Sequence, residues 1–142
     1  VKDLAEEQDK SWVRDARGKV VKVISHLLAE LPDENFYRVI LMRRDISEIL
    51  ASQNKMLVNR EASNPATDAE TKRHFQEHLD QVYKMIEDKD HFEMVEVGYR
   101  EMIENPREEA RKIAEFLGGN LDVDTMTSVV DKKLYRNRAP AS

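Results

Sequence analysis

Two consecutive arginines, Arg43 and Arg44, close the apolar run Val39-Ile-Leu-Met42, and a hydroxyl, Ser52, stands eight residues beyond the second. A guanidinium is a planar, permanently charged fork that matches the paired oxygens of a phosphate or sulfate. In open α/β sheets ligands bind just beyond the carboxyl ends of the strands. Arginines at such an end, with a serine on the following helix, therefore read as a clamp for an oxyanion. Alternation of side chains along a strand sends Arg43 to the opposite face and leaves Arg44 to carry the clamp. The plainer reading of the pair is a surface ion pair, with Asp45 or Glu48 as the acid.

Other residues carry chemistry of less specific kinds. His26 lies in a connecting segment between two apolar runs, and a partly buried structural histidine is the alternative to any proton-transfer role there. Tyr99 follows a third apolar run, Phe92 to Val97, and so falls again at a strand's carboxyl end. Arg136 and Arg138 stand near the C-terminus, in a stretch that otherwise reads as a solvated basic tail. His74-Phe-Gln-Glu-His78 has the spacing of a zinc-peptidase string, with two imidazoles one helical turn apart. It lies mid-helix beside an apolar stripe, and so short a string arises readily by chance. No metal site is assigned.

The elements that must position these residues follow from periodicity and punctuation. Asp3 to Arg17 reads as a helix with one apolar face, stopped by Gly18 at a C′ position. Val20 to Ile24 reads as a β-branched strand, followed by a short segment closing at Leu31-Pro32. Arg38 to Met42 is the second strand, and Asp45 is the N-cap of a helix carrying Ile46, Ile49, Leu50 and Leu57 on one side. Asn64-Pro65 marks a turn. Asp68 to Asp88 is a long helix with Phe75, Leu79, Val82, Tyr83 and Ile86 on its apolar stripe. The third strand, Phe92 to Val97, precedes a short helical piece from Tyr99 to Glu104. Pro106 then opens a helix that reaches Phe116-Leu117 and stops at Gly118-Gly119, and a last helix spans Val123 to Leu134. Strands alternating with helices imply an α/β domain with a parallel sheet.

Composition sets the limits. A chain of 142 residues can bury one core, so residues 1–142 are read as one domain. With 40% hydrophobic and 36% charged residues, it is too apolar for disorder. A net charge of −5 argues against general nucleic-acid binding, which rests on neutralising phosphates. No apolar run is long enough to span a membrane and no secretory leader pattern opens the sequence, so a cytoplasmic location is the default. The absence of cysteine removes disulfides and thiolate metal sites.

The order of elements resembles the C-terminal two-thirds of the sulfotransferase family, whose P-loop NTPase-like α/β fold uses 3′-phosphoadenosine-5′-phosphosulfate as sulfuryl donor. Arg44 and Ser52, within Met42-Arg-Arg-Asp-Ile-Ser-Glu-Ile-Leu-Ala-Ser52, are similar to the family's 3′-phosphate-binding pair. Val95-Glu-Val-Gly-Tyr99-Arg-Glu-Met102, continuing through Pro106 to Phe116-Leu-Gly118, resembles its strand, Tyr-Glu-Asp-Leu, Pro, helix, Phe-Leu-Gly signature. Lys22-Val-Ile-Ser-His26 is similar to the segment that supplies the catalytic base, although its lysine stands four residues before the histidine instead of two. The resemblance implies sulfuryl transfer to a small hydroxyl or amine acceptor without a metal. It implies His26 as general base and Arg44, Ser52 and Tyr99 at the nucleotide, with Arg136 and Arg138 in the place of a C-terminal basic loop that the sequence does not otherwise match. No glycine-rich 5′-phosphosulfate loop appears in the sequence, so the expectation is an incomplete domain, inactive alone. The other reading is a non-catalytic module of the same fold that self-associates through an unpaired sheet edge and its first helix.

Overall fold

A computed structural model describes residues 9–50 and 68–134. In chain order the elements are helix α1 (Trp12–Asp15), a 3-10 turn (Ser25–Glu30), strand β1 (Tyr37–Arg43), helix α2 (46–50 as described), helix α3 (Asp68–Glu87), strand β2 (Phe92–Gly98), and helices α4 (Tyr99–Glu104), α5 (Pro106–Phe116) and α6 (Val123–Ser128), with a final 3-10 turn at Lys132–Leu134. The architecture is α/β: β1 and β2 pair as a two-stranded parallel sheet flanked by helices. Parallel neighbours need a crossover connection, and α3 lies within it.

The contacts gather into two compact units. The first comprises residues up to Tyr37 together with Glu77–Glu93. Its buried side chains are Val13, Leu28, Leu31, Val82, Ile86 and Phe92. Val82 and Ile86, one turn apart, are the inner edge of the stripe read from the sequence on α3, a helix that contains neither Gly nor Pro. Tyr37 stacks on Phe92 at 5.0 Å between centroids and donates its hydroxyl to the carbonyl of Pro32 at 2.7 Å.

The second unit comprises Arg38–Gln76 and the residues from Met94 onward. Val97 on β2 is fully buried, with Ile103, Ala110, Ile113 and Ala114 supplying the rest of its apolar interior. Helix α5 packs against both α4 and α6. Pro106 sits in its first turn, where the missing N–H costs nothing, and Gly118 (φ 110°) and Gly119 (φ 81°) end it in a left-handed conformation that side chains disfavour.

Three sequence-based expectations change. Val20 to Ile24 is not a strand, and Val20 and Ile24 are 88% and 61% exposed. β-branched residues favour a pleated, half-buried surface, and among the described residues nothing pairs with this segment. The first helix, expected from Asp3, is helical among the described residues only at Trp12–Asp15. Asp9 accepts from the Ser11 backbone N–H at 2.9 Å, a turn that holds residues 9 and 10 out of the helix, while Gly18 does take up the expected positive φ of 74°. The last helix ends at Ser128 and not Leu134. Thr127 and Ser128 turn their hydroxyls back onto the carbonyls of Val123 and Thr125, both at 2.7 Å, and β-branched Val129 and Val130 follow.

Candidate functional site

The second unit carries a cleft of about 490 Å³ at the carboxyl ends of β1 and β2. Its floor is built by local rules. Asp45 caps α2: its Oδ1 accepts the backbone N–H of Ser47 at 2.7 Å and also the Ser47 hydroxyl. These bonds to Ser47 hold the Asp45 carboxyl below its ordinary pKa. Across the cleft, Gly98 is the N-cap of α4. A Cβ built on Gly98 would stand 1.7 Å from Glu101 Oε2, so the Glu101 carboxylate occupies the space that any other residue's side chain would need.

Arg44 enters from the residue after β1. Its Nε donates to Glu48 Oε2 at 3.1 Å, and its guanidinium carbon lies 4.9 Å from the centroid of the Tyr99 ring. Glu48 is only 4% exposed, the one charged residue buried among those described. A carboxylate so placed keeps its charge only against a close cation, and Arg44 supplies it. The ion-pair reading of Arg44 with Glu48 thus holds as geometry, and it orients the guanidinium against Tyr99.

Arg43 does not turn to the opposite face as strand alternation suggested. It lines the same cleft as Arg44, with Nη1 3.6 Å from Glu96 Oε2. The strand ends at Arg43, so alternation does not extend to Arg44. With Arg100 and Lys112 the cleft presents four cations, and against them stand Asp45, Glu48, Glu96, Glu101 and Glu109. It is a mixed-charge site, not a basic cradle. Glu48 was legible in the spacing Asp45-Ile-Ser-Glu48, that of an N-cap and its third helical residue. Glu96 and Glu101 carried no comparable signal.

His26 belongs to the first unit, at the second residue of the 3-10 turn. Its ring is stacked on that of His78 from α3, with centroids 3.6 Å apart and planes within 4°. His78 Nε2 lies 2.7 Å from Ser25 Oγ, in a hydrogen bond whose direction follows the histidine tautomer. Burial, and secondarily the nearby His26, lower the His78 pKa. His26 is exposed and His78 half-buried. His74, the other histidine of the zinc-peptidase string, is exposed, and among the described residues no group of three potential ligands gathers.

The first unit also holds a larger cleft, about 650 Å³, lined by Lys10, Arg14, Arg17, Glu30, Asp33 and Lys89 among others. Most of its cations are already matched: Lys10 with Glu30 at 3.1 Å, Lys89 with Asp33 at 3.1 Å, and Arg17 with Asn35 at 2.8 Å. Neither His26 nor Arg44 lines it. Of the residues singled out in the sequence, Arg44 and Tyr99 come together. Ser52, Arg136 and Arg138 lie outside the described residues.

A family model described as "Sulfotransferase family" matches residues 4–123. The chain belongs to the sulfotransferase family. Searches of curated proteins and of solved structures gave no match. The span matched by the sulfotransferase model includes Arg44, the buried Glu48, Tyr99 and the His26–His78 stack. Among the described residues no helix is long and apolar enough to cross a membrane.

Proposed function

We propose that this sulfotransferase-family chain takes part in sulfuryl transfer from 3′-phosphoadenosine-5′-phosphosulfate to a hydroxyl or amine. In this reading Arg44 and Ser52 hold the donor's 3′-phosphate, with Tyr99 beside the nucleotide and Arg136 and Arg138 contributing from the C-terminal segment. The observation that carries the reading is the Arg44–Tyr99 pair at the carboxyl end of a parallel sheet. A guanidinium braced against an aromatic face suits a ligand that joins a phosphate to a flat ring. Glu48 holds Arg44 through Nε, and the planar guanidinium is of the shape that pairs with the oxygens of an oxyanion. The acids that share the cleft keep its potential low, so binding depends on the geometry of the fork more than on net charge.

In the chemistry proposed, the acceptor forms a bond to sulfur while the bond from sulfur to the donor's phosphate oxygen breaks. A base removes the acceptor's proton, and His26 has that role. Charge on the moving group is stabilised chiefly by fixed cations and dipoles, as in phosphoryl transfer.

Isothermal titration with adenosine 3′,5′-bisphosphate tests the donor site. The expected result is measurable binding by the wild-type chain, weakened at least tenfold in Arg44→Ala and in Ser52→Ala, with Arg44→Lys also impaired because a point charge does not replace the fork. Equal binding by wild type and the alanine variants, or none by wild type, removes the site assignment.

A second reading, self-association without catalysis, is favoured by one observation: Val20, Ile24 and Phe36 stand 88%, 61% and 57% exposed in the first unit. Light scattering separates the two. A monomer stabilised thermally by the bisphosphate supports the donor site, and a tight oligomer indifferent to it supports the module.

A further inference from the structure

The His26–His78 stack is unusual in what it joins. Two imidazoles lie face to face at 3.6 Å with nearly parallel planes, one exposed and one half-buried on a helix. Two imidazolium rings at that distance repel one another, which is the direction in which His26 acts on His78. The surroundings of the two rings differ. His78 is the more buried ring and is tied through Nε2 to Ser25, and burial disfavours the charged form. His26 is exposed. Among the described residues the charge that acts on His78 is that of His26 itself, and Ser25 is neutral.

We propose that His78 is a positioning residue for His26: the half-buried His78 ring, tied to Ser25, is the fixed face against which the His26 imidazole is held in one plane. The inference rests on the reading of His26 as the base in sulfuryl transfer. The balance is simple. As the acceptor oxygen or nitrogen bonds to sulfur and the bisphosphate leaves with the electrons of the broken S–O bond, the acceptor's proton passes to a ring nitrogen of His26. The resulting imidazolium lies against the π face of neutral His78, a favourable arrangement for a cation. Ser25 locks the partner ring through Nε2, so rotation of His78 cannot break the stack without losing that bond.

Two measurements test it, and they fail separately. Histidine ring resonances followed by NMR across a pH titration of the intact protein read the coupling without any activity. His26→Phe keeps a ring on His78 and removes the charge, so the His78 midpoint should rise from its depressed position. An unchanged midpoint overturns the inference. The second measurement, on the full-length protein, is the pH profile of kcat for sulfuryl transfer. His78→Ala should lower kcat about tenfold and displace its midpoint while leaving donor KM in place, and His78→Phe, which preserves a stacking face, should recover most of the rate. A His78→Ala profile superimposed on wild type overturns the positioning role. Full activity in His26→Ala overturns the base assignment itself, and the NMR result then describes a stack with no catalytic consequence.

Discussion

The guanidinium carbon of Arg44 lies 4.9 Å from the centre of the Tyr99 ring while its Nε is bonded to the buried carboxylate of Glu48. One side chain thus joins the end of β1, the first turn of α2 and the first residue of α4. The arrangement fixes a charged group by two unlike restraints, an ion pair along one edge and an aromatic face beneath. Neither restraint is strong alone at a partly exposed site, where cation–π contacts contribute roughly 0.5–2 kcal/mol. Together they select one orientation of the fork.

Glu48 is the member of this set whose removal is most costly. Arg44 is about a quarter exposed, which tempers the effect of leaving it without this acid. Glu48→Ala is expected to destabilise the chain by about 1–3 kcal/mol in urea unfolding, with Glu48→Gln intermediate because it keeps an acceptor. The same variants should weaken bisphosphate binding by releasing the guanidinium from its plane. Wild-type stability in Glu48→Ala would show that the buried carboxylate is not held by this pair.

Gly98 and Glu101 give a test of coupling. The backbone at Gly98 has φ −71°, which any residue adopts, so the obstacle to a side chain there is the Glu101 carboxylate and not strain. Gly98→Ala should displace a flexible carboxylate at a cost below about 1 kcal/mol, partly offset by the lower entropy of the unfolded chain. Glu101→Ala removes the obstacle. The double variant is therefore expected to be more stable than the sum of the single effects by about 0.5 kcal/mol or more. Strict additivity would mean that the carboxylate does not stand where the geometry puts it.

Most of the second unit was legible from local signals. Pro106 at a helix start, Gly118 after its end and Asp45 as a cap each act within one turn, so the sequence contains the whole cause. The failures share a different origin. Val20 to Ile24 has strand composition, but a strand is made by its neighbour, and composition does not report neighbours. At Val123 to Ser128 the hydroxyls of Thr127 and Ser128 compete with the next turn, a local effect masked by the apolar Val129, Val130 and Leu134 beyond them. The site divides in the same way. Arg44, Tyr99 and the Glu48 spacing follow from short motifs, whereas the contact of His26 with His78 joins residues 52 apart and left no trace in either segment.

The last prediction concerns pH. The His78 pKa is lowered in the folded chain, first by burial and then by His26. Between its folded value and the ordinary imidazole value near 6.5, the unfolded chain binds more protons than the folded one. Stability contributed by neutral His78 is therefore fully present above pH 6.5 and is lost as pH falls from there through the folded pKa. Chemical denaturation from pH 8 to 5 should show stability declining on the acid side of that window. His78→Phe, which cannot take a proton, should flatten the decline before the carboxylates begin to titrate. Asp33, held below its ordinary value first by its bond to Lys89, adds a loss of the same sign only at lower pH, as the carboxylate protonates. Equal slopes for wild type and His78→Phe between pH 7 and 5.5 would show that His78 is not the group linking the fold to pH there.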